Sequence, residues 1–191
     1  MTLVELLTTM AILGLVLTGI ITMFVTGLNA ETDMNSRFLA QQNARLALVD
    51  LRTEIGSACS VTQGTVTGET AGSALTVVLP NPSPATGASA CSSGTTTVIW
   101  CAASANLAAP FTLYRSTGAS CSSSSGVKRV TSLQCAGVTA ACPTPVFAKT
   151  TSATQRPTVT VTFPVEANLT NTHGLYKLQD TIMARNAGVG T

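Results

Sequence analysis

The apolar and polar positions divide the chain into three stretches. Leu6 to Ala30 is a run of 25 residues without a single charge. As a helix it would be about 37 Å long, enough to cross a hydrocarbon core of ~30 Å. From Glu31 to Ile55 the pattern turns amphipathic. Met34, Phe38, Ala44, Leu48, Leu51 and Ile55 are read as one apolar face, with Gln41 filling the register. Asp33 and Arg37 are spaced as an i,i+4 pair, and Arg45, Asp50, Arg52 and Glu54 are expected on the polar face. Gly56 and Ser57 supply the stop.

Beyond Cys59 the helical period gives way to alternation. Strands are expected at 75–79, 97–101, 111–115, 127–133, 158–163 and 175–184, separated by turns rich in Pro, Gly and Ser. The clearest is Thr158-Val-Thr-Val-Thr-Phe163, with Val159, Val161 and Phe163 inward. The predicted fold is α+β: a long N-terminal α-helix, half apolar and half amphipathic, packed on an antiparallel β-sheet head with disulfides. Its parts are an apolar helix of membrane-spanning length (1–30), an amphipathic helix packing on the head (31–57) and a β-rich head (58–191).

Composition sharpens this picture. Charged residues are 9% of the 191 and aromatic residues 4%, against roughly 25% charged in ordinary soluble domains. A net charge of +2 argues for no polyanionic partner. The six cysteines, Cys59, Cys91, Cys101, Cys121, Cys135 and Cys142, include no Cys-x-x-Cys pair, and His173 is the only histidine. Zinc sites want closely spaced Cys/His pairs, so no metal and no cofactor is expected. Three disulfides in an oxidising compartment are expected instead. Sequence separation favours Cys91–Cys101 as a local bridge.

Glu5 is the residue that asks for an explanation. It stands at the head of the apolar run, and the nearest basic side chain, Arg37, is 32 residues on, about 48 Å along a helix. A carboxylate at membrane depth costs ~2.5–3.5 kcal/mol and marks function. An α-amino group, of Met1 or of a neighbouring copy, is the positive charge expected to reach it. Nothing basic precedes the apolar run, unlike in a signal peptide. Met1 is therefore expected to be a processed N-terminus from which a basic leader has been removed.

Met1-Thr2-Leu3-Val4-Glu5-Leu6-Leu7 resembles the start of mature type IV pilins and of the pseudopilins of type II secretion. The family pattern is Phe-Thr-Leu-(Ile/Val)-Glu-(Leu/Val), with Met here in place of the usual Phe. The resemblance implies cleavage by a prepilin peptidase after a glycine, N-methylation at Met1, and a Glu5 that neutralises the N-terminal amine of an adjacent subunit. It also implies local helix melting inside the filament, for which Gly14 and Gly19 are the candidates.

The head resembles the larger minor pilins and pseudopilins, PilW-like and J-type. The carrying segments are Gln42 to Leu48, Leu51 to Ile55, Leu113-Tyr114-Arg115, Arg129 to Gly137 and Met183-Ala184-Arg185-Asn186. The expected partners are other copies of the chain, minor pilins, a prepilin peptidase, an inner-membrane platform protein, a cytoplasmic assembly ATPase and, before assembly, the cytoplasmic membrane. The place implied is an extracellular pilus, serving adhesion, motility or DNA uptake. The alternative is a minor or tip pilin, or a secretion pseudopilin that primes assembly. No Asp-rich loop suggests the calcium site common in pseudopilin heads.

Catalysis finds little support. His173 lies in an expected turn, and only Glu166 and Asp180 follow Glu69 among the carboxylates. No phosphate-loop motif occurs. A DNA-binding competence pilin is a further alternative, with Arg115, Lys128 and Arg129 as the candidate contacts. Three charges neutralise few phosphates, although a filament would repeat them. The uncharged stretch between Glu69 and Arg115 and the sequon at Asn168 are candidate glycan carriers.

Overall fold

A computed structural model describes residues 2–64, 73–80, 91, 94–103, 110–118, 120–121, 126–134, 145–165 and 176–188. One helix and eight strands are described: α1 (Leu3–Ser57), β1 (Ser60–Gly64), β2 (Ala74–Pro80), β3 (Thr95–Ala103), β4 (Phe111–Thr117), β5 (Val127–Leu133), β6 (Phe147–Thr150), β7 (Thr158–Val165) and β8 (Tyr176–Met183). The chain divides into two compact units, Met1–Phe38 and Leu39–Thr191, with the division inside α1.

The first unit is helix alone. None of its described large apolar side chains is buried: Leu15 is 76% exposed and Met23 82%. Thr8, Thr9, Thr18, Thr22 and Thr26 turn their hydroxyls back onto carbonyls three or four residues earlier. That back-bonding satisfies each hydroxyl without water, which an apolar surrounding demands. Gly14 and Gly19 are helical, and a Cβ at either would meet nothing within 4 Å. Asp33 and Arg37 form the expected pair at 2.9 Å.

In the second unit the helical residues Leu39 to Ser57 bury a stripe of Ala40, Ala44, Ala47, Leu48, Leu51 and Ile55. The expected face is thereby corrected. Met34 and Phe38 are 72% and 63% exposed. At about 100° per residue they lie some 100° and 140° round the helix from Leu51. Ala40 and Ala47 hold the register instead, and their small side chains allow close approach to the sheet.

The sheet is antiparallel, in the order β1-β2-β3-β4-β5-β7-β6, with β8 paired to β7. It curls until its first and last strands approach, where the Lys149 N–H donates to Gln63 Oε1 at 2.8 Å. β7 bridges the two halves: it pairs with β5 only at Val165, with β6 through Val159 and Val161, and with β8 along its whole length. Six strands fall where alternation placed them. β1 and β6 were not expected from the pattern, being five and four residues long. Such short strands carry too few alternating positions to stand out.

The inner sheet face meets the helix stripe in the main core, which holds Leu75, Val77, Val98, Trp100, Leu113, Val130, Leu133, Phe147, Val159, Val161 and Phe163. A second, smaller cluster lies on the opposite face of β2–β4: Ala74, Ile99, Cys101, Ala103, Tyr114 and Cys121. β5 carries two register shifts against β4. At one of them Ser132 has a φ of 66°, which lets Val130 and Leu133, three residues apart, enter the same core.

Candidate functional site

The residues singled out in the sequence fall in three places. At the N-terminus, Glu5 is exposed, and its Oε2 accepts the Thr2 backbone N–H at 2.9 Å and lies 3.4 Å from the Thr2 hydroxyl. Since α1 begins at Leu3, Thr2 is the N-cap residue and Glu5 the third helical position. Thr-x-x-Glu is the spacing of a capping box, a signal in the sequence that the pattern reading passed over. Met1 lies outside the described residues.

The cysteines come next. Cys59 is bonded to Cys91 and Cys101 to Cys121, with Cα separations of 5.5 and 6.2 Å. The expected Cys91–Cys101 bridge is overturned, and the sheet register explains why. Cys59 N–H bonds Val78 O, and Val78 stands opposite Thr97, near the start of β3 and the end from which Cys91 enters. Cys101 lies four residues further along β3, about 13 Å away. It sits on the far face, where the chain turns back after Gly118 (φ 125°) and delivers Cys121. The first bridge ties the end of α1 to the connection before β3, and the second pins the segment after β4 over the far face. Cys135, Cys142, His173, Glu166 and the Asn168 sequon lie outside the described residues.

The third place is the polar edge of the helix stripe. Here the sequence reading is extended, because Asp50, Arg52 and Glu54 each reach a partner on the sheet, although the Arg52 side chain stays 58% exposed. Glu54 Oε2 accepts the Trp100 indole N–H at 2.6 Å, and Oε1 accepts Arg115 at 2.7 Å from Nε and 2.6 Å from the terminal nitrogen. Asp50 pairs with Arg129 at 3.1 Å and Arg52 with Asp180 at 2.7 Å. Asp180 raises the already high pKa of the Arg52 guanidinium, first by hydrogen bonding and then by its charge, against a small opposing desolvation. Three ion pairs thus link the helix to β4, β5 and β8.

This arrangement takes apart the basic trio considered for DNA. Arg115 and Arg129 both face the helix and are occupied by its carboxylates. Arg129 sits at a register shift between Val130, opposite Leu113, and Lys128, opposite Tyr114, and a bulge of this kind re-aims a side chain. Lys128 is exposed and registers with Tyr114, a member of the far-face cluster. The three residues are close in sequence but divided between the two faces.

The end of α1 is held by residues after β8: the Arg185 N–H reaches Gly56 O at 3.3 Å and Asn186 Nδ2 reaches Ser57 O at 3.1 Å. These donors satisfy carbonyls that a helix end leaves orphaned. Beside them runs an open groove of about 740 Å³, lined by Arg52, Thr53, Gly56, Asp180, Met183 and Arg185. Among the described residues no group of three or more His, Cys, Asp or Glu side chains is placed to hold a metal ion.

What the geometry defines is a sheet-and-helix head fixed by disulfides and ion pairs, and a helix long and apolar enough to cross a membrane. No family model, no curated protein and no solved structure matches the chain.

Proposed function

We propose that this chain is a structural subunit of an extracellular filament of the type IV pilus kind. The observation that carries the reading is the union of two features: an apolar helical surface with no cover of its own, and one carboxylate at its head. No residue of its most apolar window is buried. In water such a surface is prohibitively costly, so it belongs in lipid or among copies of itself. Moving from the first environment to the second is what polymerisation does. Glu5 then neutralises an α-amino group of an adjacent copy, an interaction that favours one stagger of the helices over others.

The head supplies the rigid outer surface. Its ion pairs and disulfides resist deformation, as suits a structural part. In this role its partners are copies of itself, minor pilins, a prepilin peptidase acting at Met1, and a membrane platform with an ATPase. A DNA-binding role is disfavoured by the pairing of Arg115 and Arg129.

The test is electron microscopy of fibres sheared from producing cells, with mass spectrometry of the purified material. Thin fibres made mainly of this chain establish the bulk subunit. Fibres of another protein containing this chain in trace amounts move it to the minor or tip position. A chain that stays in the membrane with its leader attached refutes the filament reading.

A further inference from the structure

Glu5 has a local partner that the filament reading does not require. Its Oε2 takes the Thr2 backbone N–H at 2.9 Å. The Thr2 hydroxyl, at 3.4 Å from the same oxygen, is the weaker contact. The Thr2 carbonyl meanwhile accepts the N–H groups of Glu5 and Leu6 at 3.0 and 3.4 Å. Among the described residues, Glu5 Oε1 takes no hydrogen bond.

We propose that Thr2 is a positioning residue for Glu5, acting through its backbone N–H and not through its hydroxyl. The N–H holds Oε2 against the carboxylate's own chain, which fixes the side-chain rotamer and leaves Oε1 facing outward for a cation from a neighbouring copy. The two oxygens thus serve different partners at the same time. The outward half of this proposal rests on the filament reading, while the local half stands without it.

Physical chemistry gives the cap two consequences. A carboxylate leaving water loses hydration, and a hydrogen bond from an amide at a helix N-terminus returns part of that loss. A free glutamate side chain also has several rotors to order when a partner docks, and a carboxylate already held loses less entropy on binding. The reach is specific to glutamate. Aspartate keeps the charge but is one methylene too short to return to the Thr2 N–H. Glutamine keeps an accepting oxygen but loses the charge.

The test begins with the full chain in detergent micelles, reading the Thr2 amide resonance by NMR. In the wild type that resonance should move as Glu5 is titrated with acid. In Glu5→Gln it should stop responding to pH, and in Glu5→Asp it should shift to an uncapped position. A wild-type Thr2 amide indifferent to pH overturns the cap.

Fibre yield then tests positioning at matched membrane levels. Thr2→Ala retains the N–H and should assemble like the wild type. Glu5→Asp should lose about tenfold, equivalent to ~1.4 kcal/mol. Wild-type yield from Glu5→Asp, or loss in Thr2→Ala as large as in Glu5→Asp, overturns the N–H as the positioning group. If the wild type forms no fibres while its Thr2 amide titrates with Glu5, the filament reading falls and the cap stands.

Discussion

Glu54 is the side chain on which the head should depend most sharply. It lies on the helix, yet both its oxygens are used by the sheet: Oε2 by the Trp100 indole and Oε1 by Arg115. Trp100 is fully buried, whereas the Arg115 side chain retains 24% exposure. In Glu54→Ala the indole N–H loses its partner inside the core, a cost of ~1–3 kcal/mol. The freed Arg115 can still reach water, so its lost ion pair adds up to ~1 kcal/mol. The expected total is about 1–4 kcal/mol, large against the 5–15 kcal/mol by which domains are stable.

Two companion variants separate the contributions. Glu54→Gln keeps an oxygen for the indole and should cost about 1 kcal/mol, the part owed to Arg115. Trp100→Phe removes the donor itself, so no N–H is stranded in the core, while Glu54 keeps Arg115 on Oε1 and loses the donor to Oε2. The assay is urea unfolding of the full, oxidised chain in micelles. Fluorescence of Trp100, the only tryptophan, follows the Glu54 variants, and circular dichroism follows Trp100→Phe. With a urea slope of about 2 kcal/mol/M, Glu54→Ala should lower the midpoint by ~0.5–2 M. Equal losses in Glu54→Ala and Glu54→Gln would refute the reasoning, because they would show that the indole bond carries none of the effect.

Other parts of the head make further claims. Leu51 is fully buried in the helix stripe, and Leu51→Ala should cost ~2–5 kcal/mol in the same assay, whereas Leu46→Ala, at a 60% exposed position, should leave the midpoint unchanged. Replacing Cys59 and Cys91 by Ser opens a 32-residue separation and should destabilise the head by about 3 kcal/mol. With graded reductant, mass spectrometry should find Cys101–Cys121, buried in the far-face cluster, reduced after Cys59–Cys91. Ser132→Gly should raise stability by ~0.5–1 kcal/mol, since a non-glycine residue at φ 66° carries strain that glycine does not. Arg52→Ala, at an exposed pair, should move the midpoint less than Glu54→Ala does.

What the sequence reveals follows from how local each feature is. The long helix was legible because 25 uncharged residues and a helical stripe are properties of neighbouring positions. β7 was legible because Thr158 to Phe163 repeats one alternation three times. The stripe was misplaced at Met34 and Phe38 because apolar identity was allowed to outweigh angular position. Ala40 and Ala47, small and easily overlooked, were the residues in register. The cysteine pairing failed for a different reason. Closeness along the chain favoured Cys91–Cys101, but a β-strand carries its residues apart in a straight line, and a register unknown in advance brought Cys59 to Cys91. The Glu54 network was equally hidden, since Trp100 and Arg115 follow it by 46 and 61 residues.

The charges themselves then separate two kinds of role. A chain with only 9% charged residues uses three of its helical ones to hold the head together: Asp50, Arg52 and Glu54 each meet an opposite charge on the sheet. Glu5 plays a different part. No basic side chain is described beside it, and among the described residues it meets the amide and the hydroxyl of Thr2. If both groups of carboxylates served folding alone, neutralising either should unfold its own unit and nothing more. A filament subunit requires a different outcome. Glu54→Gln should weaken the head wherever the chain resides, while Glu5→Gln should leave the Trp100 unfolding midpoint untouched and remove fibres from the cell surface. A Glu5→Gln chain that forms fibres at the wild-type level would mean that the carboxylate is only a helix cap.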